Sequence, residues 1–259
     1  MKRIPLVMLT ISVSALYLAG CSVKEYRESC PCRLVLDLSE VDTAVVKSAD
    51  LYVSVPGGYV SSDVIDIEEF EKEYVLTVPR THLSLSVSSG GGGAMSEKGL
   101  SIPFGTECPP VYMHSSVVDA DCEIWHEKVR MRKNHCVIEM QVKNEESYGI
   151  SLTVKGNICG YDAYGLPESG GFECSKTIED PGICCIAVPR QTDDSIILEV
   201  DDGGGVRKMF ALGTYIASAG YDWEASDLED IEVVLDFAFS HVVVKVQGWE
   251  EEHIFDVVI

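Results

Sequence analysis

Positive charge is scarce in this chain. Twenty lysines and arginines stand against 42 aspartates and glutamates, for a net charge of −22. Such a balance repels phosphate backbones and argues against a nucleic-acid partner. It also disfavours direct docking on an anionic lipid surface. Catalytic signatures are missing as well. The glycine runs at 90–93 and 203–205 are not followed by Lys-Ser or Lys-Thr and open no helix, so neither is a phosphate-binding loop. His126-Glu127 lacks the second histidine of a zinc helix, and no Asp-x-Asp-x-Asp-Gly calcium loop or Gly-x-Ser-x-Gly elbow occurs. His135-Cys136 reads as a strand-edge histidine beside a structural cysteine. The acidic pairs read as a solvated surface, since paired carboxylates are always available in so acidic a chain. No enzyme, metal or cofactor is expected from these residues.

Long apolar runs are absent too, with one short exception. Lys2 and Arg3 precede a fifteen-residue stretch from Ile4 to Leu18, interrupted by Pro5, Thr10, Ser12 and Ser14. A membrane-spanning helix needs about 20 apolar residues. Basic start, apolar middle and small residues are the layout of a secretory signal. The stretch ends in Leu18-Ala19-Gly20-Cys21, which resembles the lipobox of bacterial lipoproteins. Cleavage before Cys21 and acylation of its thiol would leave a chain tethered by lipid, each buried CH₂ contributing about 0.8 kcal/mol. Residues 1–20 are therefore expected to be the signal and 21–29 a tether.

Nine cysteines remain: Cys30, Cys32, Cys108, Cys122, Cys136, Cys159, Cys174, Cys184 and Cys185. In an exported chain disulfides are the default, and an odd number leaves at least one thiol unbridged within the chain. Connectivity is open. Cys30-Pro31-Cys32 and Cys184-Cys185 are too closely spaced for an easy internal bridge, and neither has the spacing of a redox Cys-x-x-Cys.

The body of the chain has a hydrophobic content of 46%, enough for a core, and reads as short strands between Gly, Pro and Ser turns. Leu34, Leu36 and Leu38 alternate with Val35 and Asp37. Leu51–Val55 and Val75–Val78 follow. Leu83, Leu85 and Val87 alternate with serines, as in a strand buried on one side. Later runs lie at Val137–Val142, Ile150–Val154, Ile183–Val188, Ile196–Val200, Val233–Phe239, Val242–Val246 and Ile254–Ile259. Val78-Pro79-Arg80 and Val188-Pro189-Arg190, each followed by a strand and a glycine run, suggest two similar units. Helix signals are few: Ile67, Phe70 and Tyr74, and a turn or two at Ala225–Ile231. An irregular segment at 115–127 separates the units, giving one β-sandwich at 30–122 and another at 123–259.

Four segments carry a wider likeness: Cys30–Asp37; Val129–His135; Lys155–Asp162 with Gly165 and Pro167; and Gly213–Trp223 with Asp227–Ile231. Together they resemble the FimB-like anchor and accessory subunits of Bacteroidales fimbriae. The resemblance implies a mainly β chain of two transthyretin-like β-sandwich domains in tandem. It also implies a lipid-anchored location on the outer membrane and fimbrial subunits as partners, joined by strand exchange or sheet-edge docking. The alternative is a surface glycan-binding lipoprotein, with Trp125, Trp223 and Trp249 as stacking residues. If Cys21 carries the lipid, Cys21→Ala abolishes incorporation of labelled palmitate and moves the chain out of the membrane pellet. An acylated, membrane-bound variant would refute the assignment.

Overall fold

The structure, a computed structural model, describes residues 30–66, 73–90, 99–143, 149–178, 182–201, 203, 207–236, 241–246 and 253–256. Cys21, the tether and Trp249 lie outside them, as do Ile67 and Phe70 of the first helix signal; Tyr74 opens a strand. The first nine strands are β1 (Cys32–Asp37), β2 (Ser48–Ser54), β3 (Val60–Asp66), β4 (Tyr74–Val78), β5 (His82–Ser89), β6 (Leu100–Ser101), β7 (Tyr112–Asp119), β8 (Ile124–Lys128) and β9 (Arg132–Lys133). There follow β10 (His135–Lys143), β11 (Ser151–Tyr161), β12 (Pro167–Thr177), β13 (Ile183–Pro189), β14 (Ile197–Asp201), β15 (Arg207–Phe210), α1 (Leu212–Ser218), β16 (Ile231–Asp236), β17 (His241–Val246) and β18 (His253–Asp256).

These strands form four sheets around two hydrophobic cores. In the first unit, β4-β1-β8 faces β3-β2-β5-β7-β9. In the second, β13-β10-β16-β17-β18 faces β12-β11-β14-β15, with β6 added to β11. The two units share one plan. β1 pairs antiparallel with β4 and parallel with β8, as β10 does with β13 and β16. The opposite sheets run 3-2-5-7 and 12-11-14-15, antiparallel throughout. Leu34 and Leu36 of β1 and Ile138 and Met140 of β10 are fully buried at equivalent central positions. Alternation places these side chains on the inner face.

The chain passes between units more than once. β8 and β9, beyond residue 123, complete sheets of the first unit. Leu100, Ile102, Cys108, Val111 and Met113, before it, line the core of the second. The segment expected to be irregular, 115–127, is instead mostly β7 and β8; its polar side chains hide edge and interface strands from a hydrophobicity pattern. Gly160 allows the β6 excursion to dock: a Cβ there would stand 2.0 Å from the Leu100 carbonyl oxygen. Residues 225–227 form a bend and 228–230 are irregular, whereas the helix lies earlier, at α1, where Leu212 and Ile216 are buried one turn apart.

The β5 serines do not face solvent. Ser86 and Ser88 are as buried as the leucines opposite them, at 2% exposure. Ser54, Ser115 and Met113 on the same sheet meet the Tyr164-Gly165 turn of the second unit. Small side chains let the two units approach there.

Both Val-Pro-Arg sequences end the strand antiparallel to the central one, β4 or β13. Arg190 then fastens the loop that leads into β16. Its Nε donates to Asn134 Oδ1 (2.9 Å), and its Nη1 to the carbonyls of Trp223 and Ala225, the latter at 2.7 Å. Its backbone N–H donates to Tyr161 Oη (2.8 Å), which donates in turn to the Asn134 carbonyl. Asp227 accepts from Arg132 Nη1 (2.7 Å) and the Lys133 N–H (2.9 Å), while Asp230 Oδ1 accepts from Lys133 Nζ (2.6 Å) and the Val137 N–H (2.7 Å). In the first unit Arg80 reaches towards the loop before β8, 4.0 Å from Asp121. Arg190→Met keeps the aliphatic stem and strands these carbonyls, so a loss of about 3 kcal/mol is expected in urea unfolding. Arg190→Lys recovers little of it, because an ammonium lacks the planar fork.

Candidate docking edge

An open sheet edge is a template for another chain, and folded proteins usually cover or charge it. The second unit covers both strands that flank its central β10. Along β13, the Ala187 N–H donates to Glu107 Oε1 (3.1 Å), the Ala187 carbonyl accepts from the Cys108 N–H (3.0 Å), and Lys176 Nζ donates to the Cys185 carbonyl (2.8 Å). Along β16, the β17–β18 hairpin adds two strands, and Val244 enters the core fully buried. In the first unit, Tyr59 Oη donates to the Thr77 carbonyl on β4 (3.2 Å). Among the described residues no strand pairs with the outer edge of β8, the counterpart of β16.

Register determines what β8 presents. The Arg33 N–H donates to the Glu123 carbonyl (2.9 Å), and Arg33 stands opposite Ile124. In a parallel ladder, residues 123, 125 and 127 then turn their backbone groups towards β1, while Ile124, His126 and Lys128 turn theirs outward. The side chains of these three are exposed; Trp125 and Glu127 point inward. Trp125 Nε1 donates to Glu127 Oε2 (3.0 Å), and His114 Nε2 lies 3.3 Å from Glu127 Oε1. His114 Nδ1 accepts from the Arg130 N–H (3.3 Å), so Nε2 carries the proton and donates to the carboxylate. This cluster holds β8 in place from within and leaves its outer backbone edge facing away. Glu40 bridges Lys128 (2.5 Å) and Arg130 (2.6 Å) at the end of the strand.

Among the described residues nothing catalytic assembles from the sequence candidates. His135 and Cys136 are both buried, but neighbours on a strand point to opposite faces and cannot close on one ion. Burial pushes the Cys136 and Cys108 thiols up to about 12, and that of Cys184 up to about 11, the reverse of a reactive cysteine. Three shallow grooves of about 310–360 Å³ each carry at most one carboxylate, Asp50 or Asp121. Cys30, Cys122, Cys159, Cys174 and Cys185 are scattered over both units, and all nine cysteines stand as thiols. One pair is close: Cys32 Sγ and Cys122 Sγ lie 4.0 Å apart. The outward edge of β8 carries no signal in the side-chain pattern, because its lack of a partner among the described residues follows only from the comparison of the two units.

No protein-family model matches the chain, and no curated protein matches its sequence. Solved structures do match. A polysaccharide-binding candidate from Bacteroides thetaiotaomicron superposes with a TM-score of 0.64 at 12% identity, over 88% of this chain and 98% of that one. The fimbrial anchor protein Mfa2 from Porphyromonas gingivalis gives 0.59 at 15% identity, over 85% and 98%. An adhesin candidate from Bacteroides ovatus gives 0.57 at 13%, over 87% and 95%. The chain shares their fold. The mainly β, sandwich-forming architecture expected from the strand pattern is thus that of known bacterial proteins.

His135 supplies a test of this core. Its Nδ1 lies 3.1 Å from the Val111 nitrogen, and Tyr112 packs edge-on at 5.4 Å. Burial holds its pKa below the ordinary histidine value; the Val111 carbonyl and Asp230 oppose the shift, and Lys133 adds to it. The unfolded chain therefore binds this proton first on acidification. The stability present above about pH 6.5 is lost as the pH falls through and below that value. His135→Gln is expected to flatten the decline in melting temperature between pH 7 and pH 5; an unchanged slope would contradict it.

Proposed function

We propose that this chain is a structural, non-enzymatic subunit of a cell-surface fimbria. It would act as an anchor or accessory component, held to the outer membrane by lipid on Cys21. The likeness to the fimbrial anchor Mfa2 carries this reading, because it extends over 85% of this chain and 98% of that one and so takes in both units. The lipobox supplies the second support: the tether from Cys21 enters the fold at Cys32, the first residue of a central strand. The outer edge of β8 is the proposed contact with a fimbrial subunit, a donated strand lying there as β17 lies on β16.

A second reading, a surface glycan-binding lipoprotein, draws on the name of the Bacteroides thetaiotaomicron neighbour. The described tryptophans oppose it. Trp223 is 7% exposed, with Tyr221 edge-on at 4.7 Å, and Trp125 is bonded inward to Glu127.

Deleting the gene is expected to leave fimbriae shed from cells or altered in length. Firmly attached fimbriae of unchanged length and composition would end the proposal. His126→Pro removes an outward N–H of β8 while sparing those turned to β1. It is expected to reduce co-isolation of fimbrial subunits at least tenfold, with the unfolding midpoint little changed. Undiminished capture would place the contact elsewhere.

A further inference from the structure

The geometry points to Cys32 and Cys122 as a disulfide pair that staples the entry of the chain into its first sheet. Their sulfurs lie 4.0 Å apart, about 2 Å beyond bonding distance. The bend before β8 brings them together. Arg33 stands opposite Ile124, so Cys32 lies beside residue 123. On a continuing strand Cys122 would face the other side of the sheet, and the bend at 122–123 instead sets its sulfur against that of Cys32. Cys32 is fixed at 0% exposure on β1, whereas Cys122 lies in the bend before β8 and is half-buried. A rotation at Cys122 closes the gap without moving either strand.

Accessibility orders the chemistry. The Cys122 thiolate attacks one sulfur of a disulfide donor, breaking the donor S–S bond and releasing one donor thiol. The Cys32 sulfur then attacks Cys122 Sγ. The bond from Cys122 to the donor breaks, and the second donor sulfur leaves with the proton from Cys32. Two protein thiols are oxidised and one donor disulfide is reduced to two thiols. Burial, and then the neighbouring Cys122 sulfur, hold the Cys32 thiol above its ordinary pKa, with the Arg80 charge acting against this.

The staple deepens the anchoring reading and rests on it in one respect: export supplies the oxidising surroundings. Load on a tether at Cys21 would then reach β1 and β8 together. The bridge closes a long loop holding β2 to β7, the case in which a cross-link most restricts the unfolded chain.

The test treats the purified full chain with oxidised glutathione and maps peptides without reduction. A Cys32–Cys122 linked peptide is expected, with a melting temperature about 5–10 °C above that of the reduced chain. Cys122→Ser, at the half-buried position, should fold and lose that increment. No linked peptide, a link from Cys122 to the exposed Cys30, or an increment that survives in Cys122→Ser would overturn the inference. Peptide mapping of chain taken directly from cells reads export separately: a pair that bridges in glutathione but stays reduced in cells counts against the anchoring reading alone.

Discussion

The parallel pairing of the central strand with a late strand of its unit is the constraint on which the rest of the structure depends. β1 pairs in parallel with β8, and β10 with β16. A parallel partner cannot be reached by a tight turn, so the chain must cross to the other sheet, return, and arrive by a long loop. That loop has no ladder of its own to hold it. Arg190 supplies the fastening in the second unit: one guanidinium gathers carbonyls from Trp223, Ala225 and Ser226 and ties them to Asn134 and Lys133 at the start of β10. Five donors in a fixed plane suit this task, and the carbonyls they satisfy would otherwise be partly buried without partners.

From that constraint follows the asymmetry between the units. In each, the late-arriving parallel strand lies beside the central strand, opposite its antiparallel partner. In the second unit the chain continues into a hairpin that covers it. In the first it cannot, because after β8 the chain must pass through β9 into β10. Among the described residues the outer edge of β8 is thus left unpaired by the order of elements, and the inward cluster of Trp125, Glu127 and His114 ties the strand to the sandwich from within.

Much of the fold was legible in the sequence. Central strands declare themselves because a strand buried in a core must carry apolar residues at period two, as Leu34 and Leu36 or Leu83, Leu85 and Val87 do. The Val-Pro-Arg pair marked the duplication, since both copies end the same strand of the same plan. Edge and interface strands were less legible. β3, β7, β8 and β12 are rich in Ser, Gly and charge, which fits solvent edges and close contacts between units but resembles loop. The serines of β5 read as a wet face and are a packed one, because a small side chain serves either surface.

The sequence by itself carried the mainly β character, the acidic composition, the lipobox-like segment at 18–21 and the repeated Val-Pro-Arg. All of these are local in the chain or statistical over it. Only the tertiary structure decided that residues 100–113 serve the second core, that Arg190 holds a loop more than thirty residues further on, that Cys32 lies against Cys122, and that no described strand pairs with the outer edge of β8. Each is a meeting of segments far apart in sequence. No residue pattern encodes such a meeting, because it follows from how strands add to sheets and from which edge the chain leaves behind.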